Sequence, residues 1–145
     1  MSKPLSFAFV VPRYGQSIGG GAETLVREFV LALRDHYSEN FPLVTRLEVW
    51  TTTAKDNRTW ASHFPPGASV EEGVVVKSFD VSASDTDAFI RHEVSMAEGF
   101  LLNIQDQIEW MSNSVVSNDL SQHIKEHSFE FDAVFFAPYL FGVSV

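Results

Sequence analysis

Two kinds of hydrophobic pattern alternate along this chain. Phe7 to Val11 is an unbroken apolar run closed by Pro12. It has the length and composition of a parallel strand covered on both faces. After Gly19-Gly20-Gly21, the residues Ala22, Leu25, Val26, Phe29, Val30 and Leu33 recur at helical spacing, with Glu23, Arg27, Glu28 and Arg34 on the other side. That pattern predicts an amphipathic helix starting at the glycine turn. Residues 44–51 then alternate, with Val44, Leu47 and Val49 apolar, and read as a second strand. Strand, helix and strand in this order form a βαβ unit, which crosses over right-handed into a parallel sheet.

From Thr51 to Gly73 the pattern lapses. Pro65, Pro66 and Gly67 argue against regular structure, so a long loop is expected, ending in a turn at Glu71-Glu72-Gly73. Long loops in compact domains are functional or disordered, and Trp60 and Phe64 favour an ordered one. Residues 74–81 (VVVKSFDV) read as a third strand. Ser84 or Asp85 caps the next helix, in which Phe89, Ile90, Val94, Ala97 and Leu101 keep helical spacing, followed by Ile104, Ile108 and Met111. Gly99 divides this stretch near 86–97 and 100–112. SNSVVSND reads as a linker, Ser117 or Asn118 as the cap of a short helix running to His127, and 132–136 (DAVFF) as a fourth buried strand. The expected class is α/β: a Rossmann-like, three-layer domain with a mostly parallel sheet. Only nine residues follow that strand, so residues 1–145 are expected to be a domain cut from a longer protein.

Charge and composition narrow the functions. The net charge is −9, which disfavours general nucleic-acid binding and docking on anionic membranes. There is no cysteine, so disulfides and thiolate metal sites are excluded. No apolar run approaches the roughly 18–20 residues needed to span a bilayer. The N-terminus has too short an apolar run for a secretory signal. A cytoplasmic location is expected.

The glycine turn carries the main candidate chemistry. A helix emerging from such a turn presents unpaired N–H groups and a partial positive charge, an anion site. It is not a P-loop, since Gly21-Ala22 stand where Lys-Ser/Thr belongs. It is a poor dinucleotide fingerprint, since Thr24 stands where the third glycine belongs. Arg13 and Tyr14 follow the first strand at the edge where open α/β sheets bind ligands, and Tyr139 has the corresponding place after the fourth. Trp60 lies beside Asp56, Arg58 and Thr59, a mix suited to stacking on a sugar ring. Asp85-Thr86-Asp87 reads as helix capping. His123 and His127 match H-x-x-E-H, but no third ligand accompanies them and no metal is expected. His92-Glu93 reads as an ordinary polar helix face.

The string FVVPRYG followed by GGGAETLVREFVLAL resembles the start of the retaining, group-one type of GT-B glycosyltransferases. LEVWTTTAKDNRTW, EEGVVVKSF and FDAVFFAPYLFG continue the resemblance in order along the chain. It implies a two-domain, hexosyltransferase-type enzyme that moves a sugar from a nucleotide-sugar donor to a sugar or glycolipid acceptor with retention. The N-terminal half would hold the acceptor. A C-terminal donor-binding half, with its pair of glutamates, is missing here. By resemblance, Gly19, Gly20 and Gly21 lie near the donor diphosphate, Arg13, Tyr14, Trp60 and Tyr139 line the substrate cleft, and neither cofactor nor metal is needed. Many relatives carry a histidine after the fourth strand, where this chain has Tyr139 and Leu140. The chain alone is therefore expected to be inactive. Two alternatives stay open: another nucleotide- or phosphate-binding Rossmann-like enzyme, and a stand-alone binding module.

Overall fold

In the computed structural model, which describes residues 3–40 and 44–138, the chain builds one five-stranded sheet. The strands are β1 (Leu5–Val10), β2 (Val44–Thr52), β3 (Gly67–Glu71), β4 (Val74–Phe79) and β5 (Ala133–Phe136), and the helices are α1 (Gly21–Asn40), α2 (Thr86–Ala97), α3 (Ile104–Ser112) and α4 (Asn118–His127). Their order across the sheet is β3-β4-β2-β1-β5. β1, β2, β4 and β5 are parallel, and β3 runs antiparallel to β4. The chain thus winds outward from β1 through β2 to β4, then returns to the other side of β1 as β5. This is an α/β, Rossmann-like arrangement, and its strand order reverses between β1 and β5.

The two faces of the sheet carry separate cores. On one face Phe9, Val11, Val49, Val74 and Val76 pack beneath Val26 and Val30 of α1. On the other, Ala8, Val10 and Trp50 pack against Val115, Leu120 and Phe131. β1 is buried on both sides because alternate residues feed both cores. A charge is built into the second core. Glu48 is buried, and its carboxylate accepts from Trp50 Nε1 at 2.8 Å, Lys77 at 2.9 Å and Arg46 at 2.9 Å. Burial by itself would raise this carboxyl, but the three donors outweigh it and hold it below the usual range.

Several expectations are corrected. The stretch after Pro66 is not loop but β3, joined to β4 through Glu72 (φ +51) and Gly73 (φ +81). Two consecutive residues at positive φ make a type I′ hairpin turn, whose twist matches the paired strands. Glu72 tolerates the position because Arg27 grips its carboxylate at 2.6–2.9 Å and Arg34 donates to its carbonyl. Nothing in GASVE signals a strand, since it packs few side chains and exists by pairing with β4. β4 ends at Phe79, short of the expected 81. β5 is not buried: Phe135 and Phe136 are about two-fifths exposed at the sheet edge.

Helix faces also differ. Of the α1 stripe, Val26 and Val30 are buried, but Leu25 and Phe29 are 67% and 52% exposed. Phe29 meets Phe9 of β1 edge-on, and Phe9 stacks on Phe135 of β5 at 5.0 Å. In α2 the buried residues are Ala88, Phe89 and His92, while Ile90 and Val94 are largely exposed. α3 begins at Ile104, not near 100, because Asn103 caps it. Asp85 caps α2 and Ser117 caps α4, as expected. Among the described residues no helix is long and apolar enough to cross a membrane.

Candidate functional site

Parallel strands deliver their following loops to one edge, and here those loops meet around β1. Pro12, Arg13 and Tyr14 leave β1 already buried. The glycine turn then starts α1, and the Gly20 carbonyl accepts the first helical bond from Thr24 N at 3.0 Å. The three glycines are not equivalent. Gly20 has φ +151, and a Cβ there would lie 2.2 Å from Glu23 Oε2. Gly19 and Gly21 have no such φ, and a Cβ on either meets nothing within 4 Å. The Glu23 carboxylate folds back over Gly20 at the start of α1, where the macrodipole favours negative charge.

Arg13 holds that carboxylate. Its Nη2 and Nε donate to Glu23 Oε1 at 2.6 and 3.0 Å. The same guanidinium donates to Gly19 O at 3.2 Å and Lys55 O at 3.0 Å, and its carbon lies 5.7 Å from the Trp60 ring centroid. Arg13 therefore ties the glycine turn to the loop after β2 with its donors turned inward. Trp60 is 4% exposed, at φ +54, within the α4-side core. Thr53 closes the base of that loop, its carbonyl accepting from His63 N and Phe64 N. Asp56 organises the tip by accepting from Arg58 N and Thr59 N at 2.9 Å. Those two bonds hold its carboxyl below the usual range. Tyr139 lies outside the described residues.

On the α1 face, against the Tyr14–Ser17 loop that precedes the glycine turn, is a cleft of about 660 Å³, and Gly19, Gly20 and Gly21 are not among its lining residues. That size suits a small organic ligand. Tyr14 and Ser17 form one wall, and Phe64, Pro65 and Ser69 of the β3 approach form the other. Ser78 lies on the floor, and Glu71 and Glu72 close one end. Ser78 pairs in register with Thr51, so both side chains stand on the same face. Burial pushes the Tyr14 hydroxyl up to about 12. Tyr14 Oη and Thr51 Oγ1 are both buried and, among the described residues, have no hydrogen-bond partner. Burial also raises the Glu71 carboxyl, and the neighbouring Glu72 adds to the shift. Glu72 is instead lowered by its bonds from Arg27 and Gln16.

Arg13, Tyr14 and the glycines thus lie around one sheet edge, with Arg13 and Trp60 engaged in packing. The cleft residues from Phe64 to Ser78 were absent from the expected site. No motif marks them, and of the hairpin that positions them the sequence predicts the turn and β4 but leaves β3 as loop. His92, read as a polar surface residue, is buried between α2 and α3, with Nε2 2.6 Å from Glu109 Oε2. Asp106 joins them, the three ligand atoms lying within 4.8 Å of one another. In the H-x-x-E-H stretch, His123 packs on Trp50 and Phe79, His127 Nδ1 lies 2.6 Å from Glu130 Oε1, and the two histidine rings are 4.4 Å apart between centroids.

The fold and edge define the class: an α/β protein of Rossmann-like topology with a ligand-sized cleft at the carboxyl ends of its strands. Comparison with protein-family models, curated proteins and solved structures finds no match for the chain.

Proposed function

We propose that this chain is the N-terminal, acceptor-side domain of a GT-B-type glycosyltransferase that moves a sugar from a nucleotide-sugar donor with retention. The observation that carries the reading is the placement of the glycine turn. It follows β1, at the end of the sheet where the strand order reverses between β1 and β5, the position at which open α/β sheets bind ligands. The cleft against the loop before that turn supplies hydroxyls and the carboxylates of Glu71 and Glu72, and no lining cation, which suits an acceptor alcohol better than a diphosphate. Transfer needs no bound cofactor on this reading, since oriented N–H groups and cationic side chains can stabilise a leaving diphosphate.

The test is a transfer assay. The complete gene product is incubated with UDP-, GDP- and ADP-sugars and a panel of neutral glycoside acceptors, and the anomeric configuration of any product is read by NMR. Retained configuration is expected. Inversion, or hydride transfer to a nicotinamide in place of sugar transfer, would overturn the reading. The 145-residue chain alone is expected to gain little thermal stability from nucleoside diphosphates, because most donor contacts would come from a second domain.

A further inference from the structure

We infer that the cleft between the Tyr14–Ser17 loop and the β3–β4 hairpin is a recognition site for an uncharged, hydroxyl-bearing ring, a pyranoside or cyclitol, and that it rejects the phosphorylated or carboxylated form of the same ring. As an identification of the acceptor this rests on the glycosyltransferase reading. As a binding site it stands without it.

Three observations converge. First, the walls differ in chemistry. Phe64 and Pro65 present apolar surface, and Ser17, Ser69 and Ser78 present hydroxyls around it. A sugar ring has the same division, with C–H faces that pack on apolar groups and peripheral hydroxyls that both donate and accept. Second, a buried hydroxyl on the wall of this space, Tyr14 Oη, lacks a partner among the described residues. Buried polar groups are ordinarily paired, and an orphan asks for an explanation such as a ligand's complementary group. Third, the charge at the site is negative. No Lys or Arg lines the cleft. Arg27 is committed to Glu72 at 2.6 Å, and Glu71 has no ion-pair partner among the described residues. A Cβ on Gly15 would stand 3.8 Å from Glu71 Oε2, so that carboxylate faces the loop across the cleft. A phosphate entering there meets a carboxylate that no cation pairs directly, whereas a ring hydroxyl can donate to it.

Binding is measured on the chain itself by amide chemical-shift titration, with methyl α-D-glucopyranoside and myo-inositol as neutral probes and glucose 6-phosphate and glucuronate as anionic ones. Neutral probes should shift amides of residues 14–17, 67–71 and 78. Anionic probes should bind about five- to ten-fold more weakly, the size of one like-charge contact in partly screened surroundings. Glu71→Gln should bring the neutral and anionic affinities to within about two-fold of each other, strengthening anionic binding by lifting the repulsion and weakening neutral binding by replacing a charged acceptor with a neutral one. Tyr14→Phe, which removes an unpaired hydroxyl and keeps the ring, should weaken neutral probes by about three- to ten-fold. The inference is overturned if neutral probes leave the cleft amides unmoved at 50 mM, roughly the weak limit for a single ring. It is equally overturned if anionic probes bind as tightly as neutral ones, or if Glu71→Gln leaves the preference intact. Because no donor and no transfer enter this experiment, an absence of transferase activity does not touch it. Failure of binding would likewise leave the transfer assay to stand alone.

Discussion

Replacing Gly20 with alanine tests whether the glycine turn is held by the Arg13–Glu23 clamp. Two costs add. An L-residue at φ +151 sits in a region that costs about 1–3 kcal/mol. The new Cβ would also fall 2.2 Å from Glu23 Oε2 and 3.2 Å from Arg13 Nη2, so the carboxylate must leave. Glu23 is flexible, and the collision would be cheap were it not gripped twice by a buried arginine. Arg13 would keep Gly19 O and Lys55 O, which limits the second loss to about 1.5–3 kcal/mol, the range for charged hydrogen bonds. The sum is about 2.5–6 kcal/mol, a large share of a small domain's stability. Urea unfolding followed by far-UV circular dichroism reads it. With a slope of about 2 kcal/mol per molar, the midpoint should fall by about 1–3 M. Gly19→Ala and Gly21→Ala are the controls. Neither Cβ meets anything, and Gly21→Ala lies in the first turn of α1, where alanine's propensity favours it by up to about 1 kcal/mol. A cycle with Glu23→Ala should recover about 1–2 kcal/mol of coupling. A Gly20→Ala loss within about 1 kcal/mol of the Gly19→Ala loss, or a coupling near zero, would refute the clamp.

Other expectations concern groups whose environment is equally specific. Tyr14 has a folded pKa of about 12, above the ordinary 10, so the unfolded chain ionises first as pH rises. Stability should hold below pH 10 and decline between 10 and 12, by up to about 2.5 kcal/mol. Tyr14→Phe should remove that decline in urea titrations, and absorbance at 295 nm should show a late-ionising tyrosine that the variant lacks. Glu48 is depressed, so its contribution is present above its ordinary pKa near 4.5 and is lost as pH falls through the folded value. Glu48→Ala should cost about 3 kcal/mol, the low end for breaking a buried pair, since Lys77 and Arg46 can reach water. Glu48→Gln, which keeps an acceptor for Trp50 Nε1, should cost about half as much. In the hairpin, Gly73→Ala should cost about 1–2 kcal/mol for its left-handed φ, read as a lowered melting temperature. Glu72→Asn should leave the melting temperature close to the parent's, since better turn propensity offsets the lost Arg27 pair.

Much of the fold can be read from the chain itself. Phe7–Val11, the alternation of 44–51 and VVVKSF identify three central strands, and Asp85 and Ser117 announce the helices they cap. Each signal is local: a run, a period or a side chain that reaches back to its own backbone. The hairpin strand β3 escapes such reading because GASVE is stabilised by its partner strand and buries little. Helical period groups Phe89, Ile90 and Val94 on one side of α2, yet it does not say which side packs. The structure buries Ala88, Phe89 and His92 instead.

The glycine triplet shows the division most clearly. Sequence alone determines that a strand ends at Pro12, that a helix begins after three glycines, and that the backbone between them is unencumbered. Only the tertiary structure decides that Gly20 is the glycine under constraint, that Glu23 lies over it, and that Arg13 binds both to the loop after β2. The same is true of the cleft, whose walls come from Tyr14–Ser17 and from the hairpin beyond Phe64. Periodicity and propensity act within one element. A clamp or a cleft is set by distances between residues far apart in the chain, and those distances exist only once the sheet has brought β1, β2 and β4 into register.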